Sequence, residues 1–190
     1  MSAVPRRHEV RLIGGQWKRS KLPVADAPGL RPTPDRVRET VFNWLGQDLT
    51  GWRCLDAFAG SGALGFEAAS RGAAEVVLLE RDRRLASRLD EARQRLKAAQ
   101  VRIETVDALG WMARCAAASF ELVFIDPPFD SALVEPALAL AARLIVPHGF
   151  VYVESGAAPA AAPPVAHGLT LHRQGRAGAV HFQLLQRGPG

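Results

Sequence analysis

Between Trp52 and Ser155 the chain repeats one alternation, a short apolar run followed by a longer stretch of helical periodicity, and this rhythm restricts the fold more than any other feature. The runs are RCLDAFAG, AEVVLLE, VRIETVD, FELVFID and GFVYVES. Between them lie ALGFEAASRG, then RRLASRLDEARQRLKAAQ with Leu85, Leu89 and Leu96 on one face, the short segment Ala108 to Ala116, and a Leu/Ala-rich helix ending near Ile145. Strand, helix, strand in regular succession predicts parallel pairing with helices packed on the sheet. After the Ala/Pro-rich loop Gly156 to His167, the stretch LTLHRQGRAGAVHFQLLQR reads as two strands about a Gly-containing turn. The expectation is an α/β fold with a mostly parallel seven-stranded sheet and a C-terminal antiparallel hairpin.

Four of the runs end on or beside an acid: Asp56, Glu80, Asp107 and Asp126. In an open parallel sheet the carboxyl ends of the strands form one rim, where ligands bind, so these four carboxylates converge on one crevice. The first loop, DAFAGSGALG, contains Gly60-x-Gly62-x-x-Gly65 directly after a strand and opening a helix, the arrangement that lets a nucleoside-bearing ligand approach the backbone. Glu80 can accept both ribose hydroxyls, a task common to NAD and S-adenosyl-L-methionine. Asp56 favours the second ligand, because a carboxylate there repels a pyrophosphate but holds a cationic aminoacyl end. Asp107, followed by Ala108, can accept from an adenine amino group or cap the segment Leu109 to Met112.

The corner FIDPPFD carries the chemistry. Proline fixes φ and supplies no N–H, so Pro127-Pro128 presents bare carbonyl acceptors in one extended conformation. An exocyclic amine on a nucleobase is a poor nucleophile because its lone pair is delocalised into the ring. The Asp126 carboxylate and a proline carbonyl, each accepting one N–H, favour a pyramidal nitrogen with its lone pair aimed at a methyl donor, while Phe129 stacks on the base.

The 190 residues carry a formal charge of +5, and the first 40 account for the whole excess, with nine Lys or Arg against four Asp or Glu. That asymmetry points to a polyanionic partner. Inside the segment, Arg11 to Ile13 with Gly14-Gly15 reads as a strand and turn. GLRPTPDRVRETVFNWL reads as a loop leading into a helix, with Thr33 as N-cap, Pro34 in the first helical position, and Val37, Val41, Trp44 and Leu45 on its buried face. The helix start, flanked by Arg31, Arg36 and Arg38, favours a carboxylate or phosphate. Cys54 and Cys115 lack metal or redox spacing, and no membrane-length apolar run occurs, so a cytoplasmic setting is expected.

In their order along nearly the whole chain, RLIGGQWKRSKL, GLRPTPDRVRETVFNWL, LDAFAGSGALGFEAASRGA, LLERD, FIDPPF, YVES and GRAGAVHF resemble the blocks of the RsmD family. These are class I, Rossmann-like methyltransferases that use S-adenosyl-L-methionine to modify the exocyclic N2 of a guanine in 16S ribosomal RNA. The resemblance implies Asp126, Pro127 and Phe129 as the catalytic element. It implies a cofactor pocket of Asp56, Gly60, Gly62, Glu80, Asp107 and Ala108, with Thr33 and Arg36 near the methionine carboxylate. RNA contact falls to Arg11, Lys18, Arg19, Lys21, Arg31 and Arg38, and to Arg173 and Arg176 in the hairpin. Residues 1–30 then form a basic extension and 31–190 the methyltransferase domain, acting as a monomer on 16S rRNA or a small-subunit particle, without metal or membrane. Alternatives are a DNA adenine-N6 methyltransferase, which shares the DPP-aromatic element, a non-catalytic ribosome-assembly protein, and an NAD-dependent oxidoreductase, which leaves the proline corner unexplained.

Overall fold

Five apolar runs pair in parallel in the order Val101–Glu104, Glu75–Leu79, Arg53–Asp56, Phe120–Ile125 and Ile145–Ser155, and the C-terminal hairpin continues the same sheet through Val180–Arg187 and then Leu169–Ala177. The computed structural model describes residues 9–25, 30, 32–128, 132–156 and 166–189. Its sheet comprises β3 (Arg53–Asp56), β4 (Glu75–Leu79), β5 (Val101–Glu104), β6 (Phe120–Ile125), β7 (Ile145–Ser155), β8 (Leu169–Ala177) and β9 (Val180–Arg187). Between and before them lie α1 (Asp35–Trp44), α2 (Ala63–Ser70), α3 (Arg83–Leu96), α4 (Ala108–Arg114) and α5 (Val134–Leu144). The expected seven-stranded α/β architecture is therefore present, with only β9 antiparallel to its neighbours. The direction of travel across the sheet reverses between β3 and β6, the switch point where such folds hold ligands.

Side chains alternate between two cores, one on each face of the sheet. Cys54, Val76, Leu78, Leu122, Phe124, Tyr152, Phe182 and Leu184 pack toward α1, α2 and α3. Leu55, Val77, Leu79, Val123, Ile125, Val151, Val153 and Leu185 pack toward α4 and α5. Burial on both faces explains why β4 reads as a continuous apolar run. Every residue of α2 is buried, which is why it is built from Ala and Gly with few large side chains. Gly65 shows the constraint: a Cβ there would lie 2.1 Å from Leu78 Cδ2.

The N-terminal basic segment is a small antiparallel ribbon, β1 (Glu9–Arg11) with β2 (Lys21–Pro23). Its Val10, Leu12 and Leu22 enter the same core as α1 and α2. The linker after β1 is stitched to α2: Ile13 N and Gly14 N donate to Glu67 at 2.9 and 2.8 Å, and Trp17 N donates to Ser70 Oγ at 3.0 Å. At the start of α1 the structure corrects the sequence expectation. Pro34, not Thr33, occupies the N-cap position, no side chain caps it, and the helix begins at Asp35.

Candidate active site at the carboxyl rim of the sheet

A crevice of about 320 Å³ opens where β3, β4, β5 and β6 end, within the size range of small-ligand sites. Its lining includes Thr33, Asp56, Gly60, Glu80, Asp107, Ala108, Asp126, Pro127 and Pro128. The four acids expected to converge do so. Phe129 and Arg31 lie outside the described residues. Arg36 is exposed on α1 and takes no part in the crevice lining.

Asp56 is 1% exposed, and its Oδ2 accepts from Gly65 N at 3.0 Å. Its Oδ1 is buried without a hydrogen-bond partner. Burial, aided by the charge of Glu80 and opposed by backbone hydrogen bonds from Gly65 and Phe58, pushes its carboxyl up to about 7. An orphaned buried carboxylate oxygen is costly, and a cation placed in the crevice would complete it.

Glu80 is held by the loop it faces: Oε2 accepts from Gly60 N at 3.1 Å and Oε1 from Asp82 N at 2.8 Å. Each oxygen keeps a lone pair for a further donor. The intervening loop turns into α2 through Gly62 at φ +78°, a left-handed conformation that glycine adopts without a side-chain penalty. Asp107 is the N-cap of α4, accepting from Gly110 N at 2.8 Å, so the capping alternative is realised on a residue that also lines the crevice.

Asp126 follows β6, and desolvation, then Glu154, then Asp56 hold its carboxyl well above the usual carboxylate range. Glu154 was missed by sequence reasoning. It sits at the end of β7 beside Asp126, because Ile125 pairs with Val153, and is 3% exposed. Its Oε2 accepts from Thr33 Oγ1 at 2.9 Å and from Tyr152 Oη at 3.1 Å. Thr33 Oγ1 also lies 3.2 Å from Asp126 Oδ2, so the residue expected to cap α1 instead joins two acids. The signal was available: YVES ends its strand on an acid as the four other runs do.

The basic residues divide. Lys18, Arg19, Arg173 and Arg176 are exposed; Arg11 is exposed beside Asp35, and Lys21 is exposed and paired with Glu9. Arg38 is a correction, since its side chain is 0% exposed. It donates to Glu67 Oε2 at 3.1 Å, to the Thr33 carbonyl at 3.2 Å, to the Arg11 carbonyl at 3.0 Å and to Asp35. A guanidinium consumed by internal partners presents nothing to RNA.

Comparison with known proteins agrees with this geometry. Residues 10–186 match the family model described as Conserved hypothetical protein 95. The chain is 44% identical over 181 residues to Ribosomal RNA small subunit methyltransferase D of Escherichia coli K12, covering 94% of this chain and 90% of that protein. It is 40% identical over 183 residues to the Haemophilus influenzae protein of the same name, covering 94% of each. The solved structure of Escherichia coli yhhF superposes with a TM-score of 0.83 at 42% identity, covering 96% of this chain and 100% of that one. With motifs, strand order and relatives agreeing along the same residues, the chain belongs to the ribosomal RNA small subunit methyltransferase D family.

Proposed function

We propose that the crevice binds S-adenosyl-L-methionine and that the protein transfers a methyl group to the exocyclic N2 of a guanine in 16S rRNA. The observation that carries the reading is the placement of Asp126-Pro127-Pro128 in the same crevice as Asp56, with its partnerless buried oxygen. The cofactor supplies an electrophilic methyl on a sulfonium. Asp56 Oδ1 fits its ammonium group, Glu80, braced by Gly60 and Asp82, faces the ribose hydroxyls, and Asp107 with Ala108 borders the adenine. Asp126 and the Pro127 carbonyl accept the two amine N–H groups and aim the nitrogen lone pair, with Phe129 stacked on the base. Positioning of this kind is the main means by which a site without a strong base accelerates amine methylation.

The names of the relatives support rRNA as the substrate class. The exposed Arg11, Lys18, Arg19 and Lys21, within the basic extension of residues 1–30, together with Arg173 and Arg176, then meet the phosphate backbone. The protein works as a cytoplasmic monomer on 16S rRNA or a small-subunit particle; among the described residues no helix is long and apolar enough to cross a membrane.

Two measurements test this. Nucleoside mass spectrometry of cells lacking the protein should show loss of N2-methylguanosine from small-subunit rRNA; loss of N6-methyladenine from DNA instead would overturn the substrate. In the purified protein, Asp126→Ala should lower methyl transfer about 100- to 1,000-fold with cofactor affinity nearly unchanged. Full activity in that variant would remove the mechanism.

A further inference from the structure

Methyl transfer to an amine releases a proton, and beside the crevice, in contact with its lining residue Thr33, lies a buried carboxyl, Glu154, that the reaction above leaves unused. Thr33 Oγ1 lies 2.9 Å from Glu154 Oε2 and 3.2 Å from Asp126 Oδ2. A threonine hydroxyl has one proton and can donate to one of them only. The other contact becomes a hydrogen bond when Asp126 or Glu154 takes up a proton, so the geometry describes a three-member chain along which a proton arriving at either acid can pass.

Among the described residues, the groups facing this chain come from three elements. Asp56 approaches from β3, Tyr152 donates to Glu154 from β7, and Arg38 of α1 donates to the carbonyl of Thr33 from behind. Arg38 is bound by Glu67 and Asp35, so its charge is already matched and its contact fixes Thr33 in place. Beyond Tyr152 the path ends in apolar core, with the Phe124 ring 6.1 Å away. A proton entering at Asp126 therefore stops at Glu154.

We propose that Glu154 is the proton terminus of the transfer reaction, connected to Asp126 through the Thr33 hydroxyl. This rests on Asp126 being the amine acceptor. As the nitrogen lone pair forms the new N–C bond, the carbon–sulfur bond breaks with its electron pair remaining on sulfur, and one N–H proton passes to the Asp126 carboxylate. Asp126 hands a proton to Thr33 Oγ1, whose own proton passes to the Glu154 carboxylate. Asp126 is again ionised, Glu154 is a neutral acid, and the proton returns to water along the same path once the product has left. Glu154 touches neither substrate nor cofactor and acts as a positioning residue.

The test is the pH profile of kcat for the full chain, using labelled S-adenosyl-L-methionine and unmodified small-subunit particles. Glu154→Gln keeps the acceptor for Tyr152 and Thr33 but cannot take a proton or bear a charge. Its plateau should fall about tenfold, a modest share of what general acid–base groups contribute. Its acid limb should move about one pH unit lower, because removing the neighbouring charge lets Asp126 ionise earlier. Thr33→Val should lower the plateau similarly but move the acid limb upward, and Thr33→Ser should recover most of the loss. In the double variant Glu154→Gln/Thr33→Val the losses should not multiply.

A Glu154→Gln profile that overlays the wild type, or losses that multiply, would overturn the proposal. If Glu154→Gln fails to fold, Thr33→Val and Thr33→Ser decide alone, and equal activity in the two overturns it. Failure of the underlying reading looks different: Asp126→Ala is then active, or the wild type leaves rRNA unmethylated.

Discussion

Two clusters of buried ionisable groups lie on the same face of the sheet, and they are built on opposite rules. In the first, Glu67 is surrounded by donors: Arg38, Arg71, Ile13 N and Gly14 N occupy its two oxygens, and the Arg71 guanidinium also lies 4.8 Å above the Phe42 ring. Every charge there has a partner. In the second, Asp56, Asp126 and Glu154 crowd together with hydroxyls and backbone N–H groups but, among the described residues, no paired cation. A fold tolerates buried charge when it is matched, so the unmatched cluster marks where a ligand supplies the missing charge. The first cluster fastens the basic ribbon to α2, and the second is where the proposed cofactor would bring its positive charge.

The sharpest way to break the comparison is Glu67→Ala, which takes the buried acid away from two buried guanidiniums and two backbone donors. It should cost about 3–5 kcal/mol of unfolding free energy, read from the denaturant midpoint. A loss below about 1 kcal/mol would mean that the cluster is not the fastening described.

Asp56→Asn should act in the opposite sense on the protein without ligand. The Asp56 carboxyl titrates at about 7 in the fold, above its unfolded value. Its penalty is thus absent below about pH 4, grows as pH rises, and is complete above about pH 7. At pH 8 the Asn variant should be more stable than the wild type by about 2 kcal/mol, within a ceiling of about 4, and the gap should close toward pH 4. The same variant should bind S-adenosyl-L-methionine at least about tenfold more weakly. Thermal melts across pH with a binding isotherm check both, and equal melts at pH 8 would contradict the unmatched charge.

The smallest effect concerns the exposed cations. Replacing Arg173 and Arg176 by Gln should weaken rRNA binding severalfold and flatten the salt dependence by about one unit per cation, without moving the methylated nucleotide. An unchanged slope would place the RNA elsewhere.

What the sequence revealed follows the range of each interaction. The strands, the glycine loop and four rim acids are local patterns and were legible. Arg38 was not, because its inward turn depends on Glu67, 29 residues away, and a helix-start arginine looks the same whether it faces water or a buried acid. Thr33 misled for the same reason: its position suits a cap, but its hydroxyl is taken by a carboxylate 121 residues later. Glu154 became meaningful only when the register of β6 and β7 set it beside Asp126. Arg36 followed a general rule about helix termini that the crevice does not use.

Gly65 and Glu67 stand two residues apart on α2, one fixed by Asp56 and the other holding the linker after β1. Two residues of helix are about 3 Å of rise. The basic ribbon and the crevice are therefore set off from each other by a gauge with no joint in it, within a helix wedged on all sides. Whatever docks on Lys18 and Arg19 is offered to the crevice at a single reach, as work is offered to a fixed tool.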